Sequence, residues 1–283
     1  MHISWRKKLS RTLRGKWSSM QLSAHGIGVA TQTKNGLLVV DPRDFGVSRS
    51  LMLRGSYDWE AVMWLSRLLG RRSRMIFVGA HLGALLIPLA LRSNSRDIAA
   101  FEPNPDTYRL LEMNLALNGL THVTLHCSAV GDSAGVTRFT HNRLNSGNSR
   151  ISDSGETEVA VTTLDEELGA DASVLDLLVM DTEGFESHAI RGARRTLART
   201  RHFYVEYAPE QLAEQGSSAQ EFIELVADHF ESMYLPGPAA AFFPARSYVR
   251  YLNELSHRGG LLLNLLFTND SHPQELLLSE PPQ

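Results

Sequence analysis

Cysteine is almost missing from this chain: Cys127 is the single one in 283 residues. No intrachain disulfide and no cysteine-built metal cage can form, and a reducing, cytoplasmic setting is expected. Long apolar runs are missing too. The longest, Leu261 to Phe267, has the length of a strand, far short of the roughly 18 residues a membrane helix needs. Net charge is small, formally −3. That excludes the strong field of a nucleic-acid binder, and no nucleic-acid partner is expected. There is no internal repeat and no low-complexity tract. Hydrophobic residues at 43% and charged residues at 21% suit a globular chain with a sizeable core.

Acid is absent from the first forty residues, while Arg6, Lys7, Lys8, Arg11, Arg14 and Lys16 crowd them between Trp5, Leu9, Leu13 and Trp17. A solvated arm or a first helix docked on the domain is one reading. A contact surface for a protein partner or a membrane is another, and acid-poor starts also resemble transit peptides. The chain divides on this basis into a basic arm or helix over 1–36, a strand and helix packing on the core over 37–74, and the main domain over 75–283.

Periodicity predicts a strand at Gly36 to Asp41 and a helix from Asp58, as N-cap, to Leu69. Alternation then sets in. Strands are expected at Met75 to Val78, Ile98 to Phe101, Val123 to Cys127, Val174 to Met180 and Phe203 to Glu206. Helices are expected at Leu85 to Leu91, Pro105 to Leu117, Phe185 to Ala198 and Ala219 to Phe230. Val136 to Thr140 and Glu158 to Thr162 read as extra strands around a polar stretch, Asn142 to Glu156. The tail around Leu261 to Phe267 reads as edge strand. Buried apolar strands alternating with helices mean an α/β, doubly wound, mostly parallel sheet with helices on both faces.

In such a sheet ligands bind beyond the carboxyl ends of the strands, where the strand order reverses. Informative residues follow the strands here. Gly79-Ala80-His81-Leu82-Gly83 comes after the first main strand and Glu102-Pro103-Asn104-Pro105 after the second. An acid about 20 residues past a glycine loop accepts hydrogen bonds from ribose hydroxyls. A dinucleotide fingerprint read from Gly79 would put His81 and Ala84 at its second and third glycine places. His81 obstructs the backbone approach to a pyrophosphate, which argues against a nicotinamide dehydrogenase. S-adenosylmethionine has the ribose without the pyrophosphate.

The chain resembles the FkbM-type methyltransferases, S-adenosylmethionine-dependent enzymes with the Rossmann-like class I fold and a seven-stranded sheet. The likeness rests on Val78 to Gly83, Ala100 to Pro105, Asn114 to Gly119, Ala129 to Asp132, Thr163-Leu164-Asp165, and Met180-Asp181-Thr182-Glu183-Gly184-Phe185-Glu186 followed by Gly192-Ala193. Two places depart from the pattern. The family usually has Asp where this chain has Phe77, and Asn where it has His81.

The resemblance implies that Gly79, Ala80, His81 and Gly83 line the cofactor, that Glu102 clamps the ribose with Pro103 and Asn104 beside it, and that Ala129 and Val130 flank the adenine. It also implies small-molecule or glycan acceptors methylated on oxygen. Asp181, Glu183 and Glu206 end the fourth and fifth strands. A hydroxyl acceptor needs a general base, for which Glu183 and Glu206 are candidates, with Asp181 supporting the cofactor. The alternative for Glu183 and Glu186 is charge complementing a helix N-terminus. Hard cations favour such oxygens, but no metal is expected. His188 is expected on a helix surface. Asn142 to Glu156 either covers substrate or is merely mobile. A homodimer stays open. The competing function is a catalytically degenerate binding or scaffold protein on the same fold, motivated by Phe77 and His81.

Overall fold

A computed structural model describes residues 28–171, 173–237 and 240–270; the basic start lies outside the described residues. The chain enters as an antiparallel hairpin, β1 (Val29–Thr33) and β2 (Gly36–Val40). The first strand of this hairpin thus falls inside the stretch 1–36 read as an arm or helix. Two helices follow, α1 (Val47–Arg54) and α2 (Trp59–Leu68). The alternation then unfolds as β3 (Met75–Val78), α3 (Leu86–Ser93), β4 (Ile98–Phe101), α4 (Pro105–Leu117) and β5 (Thr124–His126). After an insertion come β10 (Leu175–Met180), β11 (Thr200–Tyr207), β12 (Ser232–Leu235), β13 (Ala241–Phe243) and β14 (Leu263–Thr268).

These strands form one sheet in the order β13-β12-β14-β11-β10-β3-β4-β5. The five from β11 to β5 are mutually parallel, while β14 runs antiparallel to both β11 and β12. The sheet therefore has eight strands rather than the expected seven. The extra one, β13, is only three residues long, too short to show a period. Nor is β14 an edge. Its run LNLLFT has four buried residues and sits between two strands, where an apolar strand avoids exposing a sticky edge.

Alternation along the strands splits the core in two. Met75, Phe77, Leu177, Val179 and Tyr204 face one cluster with β2 and α1 to α4. Ile76, Val78, Leu178, Met180, Phe203 and Val205 face the other. That second cluster includes residues of α6 (Glu186–Arg191), α7 (Arg194–Leu197), α8 (Pro209–Glu214), α9 (Ala219–Ala227) and α10 (Tyr248–Leu255). The expected single helix from Phe185 to Ala198 is thus two, broken at Gly192-Ala193. There the backbone runs so close to the Gly131 carbonyl that a Cβ on Gly192 would lie 1.9 Å from its oxygen. Asp58 precedes α2 but makes no side-chain cap, being held left-handed at φ 44°.

The insertion is a four-stranded sheet of β6 (Ser128–Val130), β7 (Gly135–Thr140), β8 (Arg150–Ile151) and β9 (Thr157–Thr162), in the order β6-β9-β7-β8. A short α5 (Leu164–Glu167) leads back to β10. Asn114 and Asn118, one turn apart on α4, bind β2 to this body. Asn114 Oδ1 accepts from Val39 N–H at 2.6 Å and Asn118 Oδ1 from Leu37 N–H at 3.1 Å. Their amides donate back to the Val39 and Leu37 carbonyls. No helix among the described residues is long and apolar enough to cross a membrane.

Candidate active site

The strand order reverses between β3 and β10, which start chain segments running to opposite sides of the sheet. A cavity of about 950 Å³ opens at the carboxyl ends there, near the top of the 300–1,000 Å³ that small-molecule sites span. The register pairs Val78 with Met180 and Met180 with Val205. One step further, Gly79, Asp181 and Glu206 fall side by side. Strand alternation puts Asp181 and Glu206 on the face of Phe77, Val179 and Tyr204, toward α1 and α2.

The loop after β3 is built to bring backbone close. Gly79 has φ +78°, and a Cβ there would lie 1.8 Å from the Asp181 carbonyl oxygen, so only glycine fits between β3 and β10. His81 follows at φ 50°, which aims its N–H at Glu102 Oε2, 2.9 Å away. Asn104 N–H donates to Glu102 Oε1 at 3.0 Å. Glu102 is therefore a carboxylate pinned by two backbone donors at the cavity wall. Burial pushes its pKa up to about 7, against the lowering effect of those two N–H groups. Asn104 Oδ1 accepts from Asp106 N–H and caps α4, while its Nδ2 is buried without a partner. Pro103, Ala129 and Val130 complete this end.

Glu102 ends β4 and Glu206 lies near the end of β11. Three strand spacings, about 14 Å in all, separate those strands. At the far end Asp181, Glu183 and Glu206 each place a carboxylate oxygen within 4.8 Å of the others. Glu183 sits in the turn after β10 at φ 55°, and Gln211 Nε2 donates to its Oε2 at 3.1 Å. Glu206 is 9% exposed, and its Oε2 has no partner. Asp181 is exposed at the cavity wall. Loss of solvation raises all three: Asp181 to about 7, with Glu186 and Asp58 adding, Glu183 to about 8, with Asp181 and Glu186 adding, and Glu206 to about 10, with Asp181, Glu183 and Glu186 adding. The Tyr57 and Tyr204 hydroxyls are raised as well, first by burial and then by these acids.

Part of the stretch from Asn142 to Glu156, residues 145–149 and Ile151, reaches the cavity. A 3₁₀ turn at Ser146–Asn148 lines the cavity. Ser146 Oγ lies 2.9 Å from His81 Nε2, and Ser146 N–H donates to Asp44 Oδ1 at 3.1 Å. Phe45, Arg49 and Arg54 from the α1 region and Leu262 also line the opening.

Nearly every residue singled out from the sequence reaches this cavity: Gly79, Ala80, His81, Glu102, Pro103, Asn104, Ala129, Val130, Asp181, Glu183 and Glu206. Gly83 does not. A Cβ there would press on Ile87 and Leu111 at 2.9 and 3.0 Å, so its smallness serves helix packing. Glu186 turns inward to accept from Thr182 and Gly184. His188 is half-buried outside the cavity, stacked on Phe185. Tyr57, Asp58, Tyr204 and Gln211 were not anticipated. Alternation along β11 could have found Tyr204, two residues before Glu206.

Comparison with known proteins gives one sequence-family match. Residues 78–233, more than half the chain, match the family described as Methyltransferase FkbM domain. No curated protein matches in sequence. Among solved structures, the chain is similar to precorrin-6y C5,15-methyltransferase from Geobacter metallireducens at 13% identity and TM-score 0.39, covering 75% of this chain and 87% of that one. A SAM-dependent O-methyltransferase from Thermotoga maritima is similar at 15% identity and TM-score 0.40, covering 74% and 63%. SMU.1697c from Streptococcus mutans, solved in complex with SAH, is similar at 9% identity and TM-score 0.44, covering 74% and 94%.

Proposed function

We propose, from the premise that this chain belongs to the FkbM methyltransferase family, that it uses S-adenosylmethionine to methylate a hydroxyl of a small molecule or glycan. The observation that carries this reading is the pinned Glu102 carboxylate. Its two backbone donors fix it in place and leave lone pairs for a ribose. The unpartnered Asn104 Nδ2 is a free donor on the same wall. Ala129 and Val130 supply an apolar surface for a base. The cavity has room for an acceptor beside the cofactor.

When bound, S-adenosylmethionine supplies an electrophilic methyl group on a sulfonium sulfur. The residues of the chain do the rest. Gly79 lets the β3 loop close on β10, and the Ser146 turn forms part of the cavity wall. An acceptor hydroxyl needs its proton removed near neutral pH, and a base is best placed when its pKa lies near the working pH. Glu183, at about 8, suits that role. Glu206, at about 10, holds its own proton there and serves rather as an acceptor-positioning group.

The second reading, a fold retained for binding alone, has Phe77 in its favour, since that residue brings an apolar side chain to the cavity wall. Calorimetry with S-adenosylhomocysteine separates the two. Micromolar binding is expected, and no binding at millimolar ligand in folded protein sinks the methyltransferase reading.

A further inference from the structure

We infer that Asp181, Glu183 and Glu206 form a binding site for one oxygen-liganded divalent cation at the acceptor end of the cavity. Two oxygens on one ion can lie no farther apart than twice the metal–oxygen distance. That limit is about 4.2 Å for Mg²⁺ and about 4.6–5.2 Å for Ca²⁺. The three carboxylates each present an oxygen within 4.8 Å of the others. Three oxygens no more than 4.8 Å apart all lie within about 2.8 Å of one point, so side-chain shifts of a few tenths of an ångström close the set on an ion of Ca²⁺ size, and larger shifts on Mg²⁺.

A second observation points the same way. Glu206 is 9% exposed, and its Oε2 is buried with no hydrogen-bond partner. Buried carboxylate oxygens are almost always paired. Two ordinary remedies are missing among the described residues. No ion pair there includes any of the three acids, and no hydrogen bond joins one to another. The one side-chain donor that reaches them is Gln211 Nε2, on Glu183 Oε2. What remains is a pocket of converging carboxyl oxygens open to the cavity, the donor set hard divalent cations take once its protons are displaced.

The placement gives the ion a use that rests on the reading above. Three protein ligands leave coordination positions open toward the cavity, where a hydroxyl oxygen of the acceptor can bind beside the cofactor loop.

The test uses the full chain without cofactor and Mn²⁺ as probe. Loss of the free Mn²⁺ electron paramagnetic resonance signal should report one site of submillimolar affinity, displaced by Ca²⁺ and Mg²⁺. Glu206→Gln and, separately, Glu183→Gln should each weaken it at least tenfold, with folding checked by circular dichroism. Absence of Mn²⁺ binding at 1 mM overturns the inference. So does binding that is unchanged in a folded variant, which would place the ion on surface acids, or displacement of Mn²⁺ by a primary amine but not by Ca²⁺. Calorimetry with S-adenosylhomocysteine runs in parallel. Cofactor binding without Mn²⁺ binding removes this site alone, whereas Mn²⁺ binding without cofactor binding removes the methyltransferase reading alone.

Discussion

Glu102 is held between opposing effects. Burial favours its neutral form, while the N–H groups of His81 and Asn104 favour the charged one, and its pKa is pushed up to about 7. A ribose clamp accepts hydrogen bonds, so the charged form binds. Affinity for S-adenosylhomocysteine should therefore rise between pH 6 and pH 8. In Glu102→Gln the pH dependence should flatten and binding should weaken by at least about 1 kcal/mol, the low end for hydrogen bonds to a charged group. Calorimetry across that range checks both, and an unchanged affinity would remove the ribose assignment. His81 shows the reverse sign. Burial lowers its pKa to about 4, with Asp44 opposing and His141 assisting. The unfolded ring takes a proton near pH 6.5, while the folded one resists until about 4. Its contribution to stability is thus whole above 6.5 and is lost as pH falls toward 4, by about 3 kcal/mol. Asn tolerates the left-handed backbone at this position. Urea unfolding of His81→Asn should lose that acid sensitivity; equal sensitivity in both proteins would assign it to another group.

At the scale of elements, the strands and helices of the alternating region were legible because each shows a clear period and a turn signal at its end. Pro105 to Leu117 stops at Asn118-Gly119 as its composition dictates, with Gly119 at φ +71°. Illegible elements were either short or defined by a distant partner. α1 has little apolar periodicity, and β6 and β8 have three and two residues. The break between α6 and α7 is tertiary in origin. Gly192 is glycine because the Gly131 carbonyl lies against it. Gly192→Ala should therefore destabilise by at least about 2 kcal/mol, although alanine is the better helix former. A thermal melt no lower than wild type would show that the two backbones can part. Asn114 follows the same logic. It is fully buried, and its amide bridges β2 to the Leu82 carbonyl. Asn114→Leu leaves polar backbone unpaired and should cost about 2–3 kcal/mol in urea unfolding.

Across the whole molecule, the floor of the cavity was readable and the roof only in part, the stretch from Asn142 to Glu156 as one of two readings and residues 44–58 not at all. Functional groups on the floor follow parallel strands, so their positions come from alternation and the carboxyl-end rule. The roof is made when residues 44–58 and 142–151 fold back over the sheet, and nothing local to either stretch specifies the other. Asp44 joins them. Its carboxylate accepts from Gly46 and Ser48 at the start of α1 and from Ser146 in the opposite loop. Burial works against its charge, yet these N–H groups hold its pKa below the ordinary carboxylate value. The Phe45 N–H to Leu144 carbonyl bond, 2.7 Å, is the neighbouring strap. Hydrogen bonds to a charged acceptor contribute about 1.5–3 kcal/mol each, and about 1.4 kcal/mol is a factor of ten in the open population. Asp44→Ala should thus raise hydrogen exchange at Asn145 to Ser149, and tryptic cleavage after the exposed Arg143, at least tenfold. Exchange in β3 should change far less, since those residues open with the core rather than with the roof. Equal acceleration in both places would mean that Asp44 stabilises the whole fold, and that the roof has no motion of its own through which an acceptor could enter.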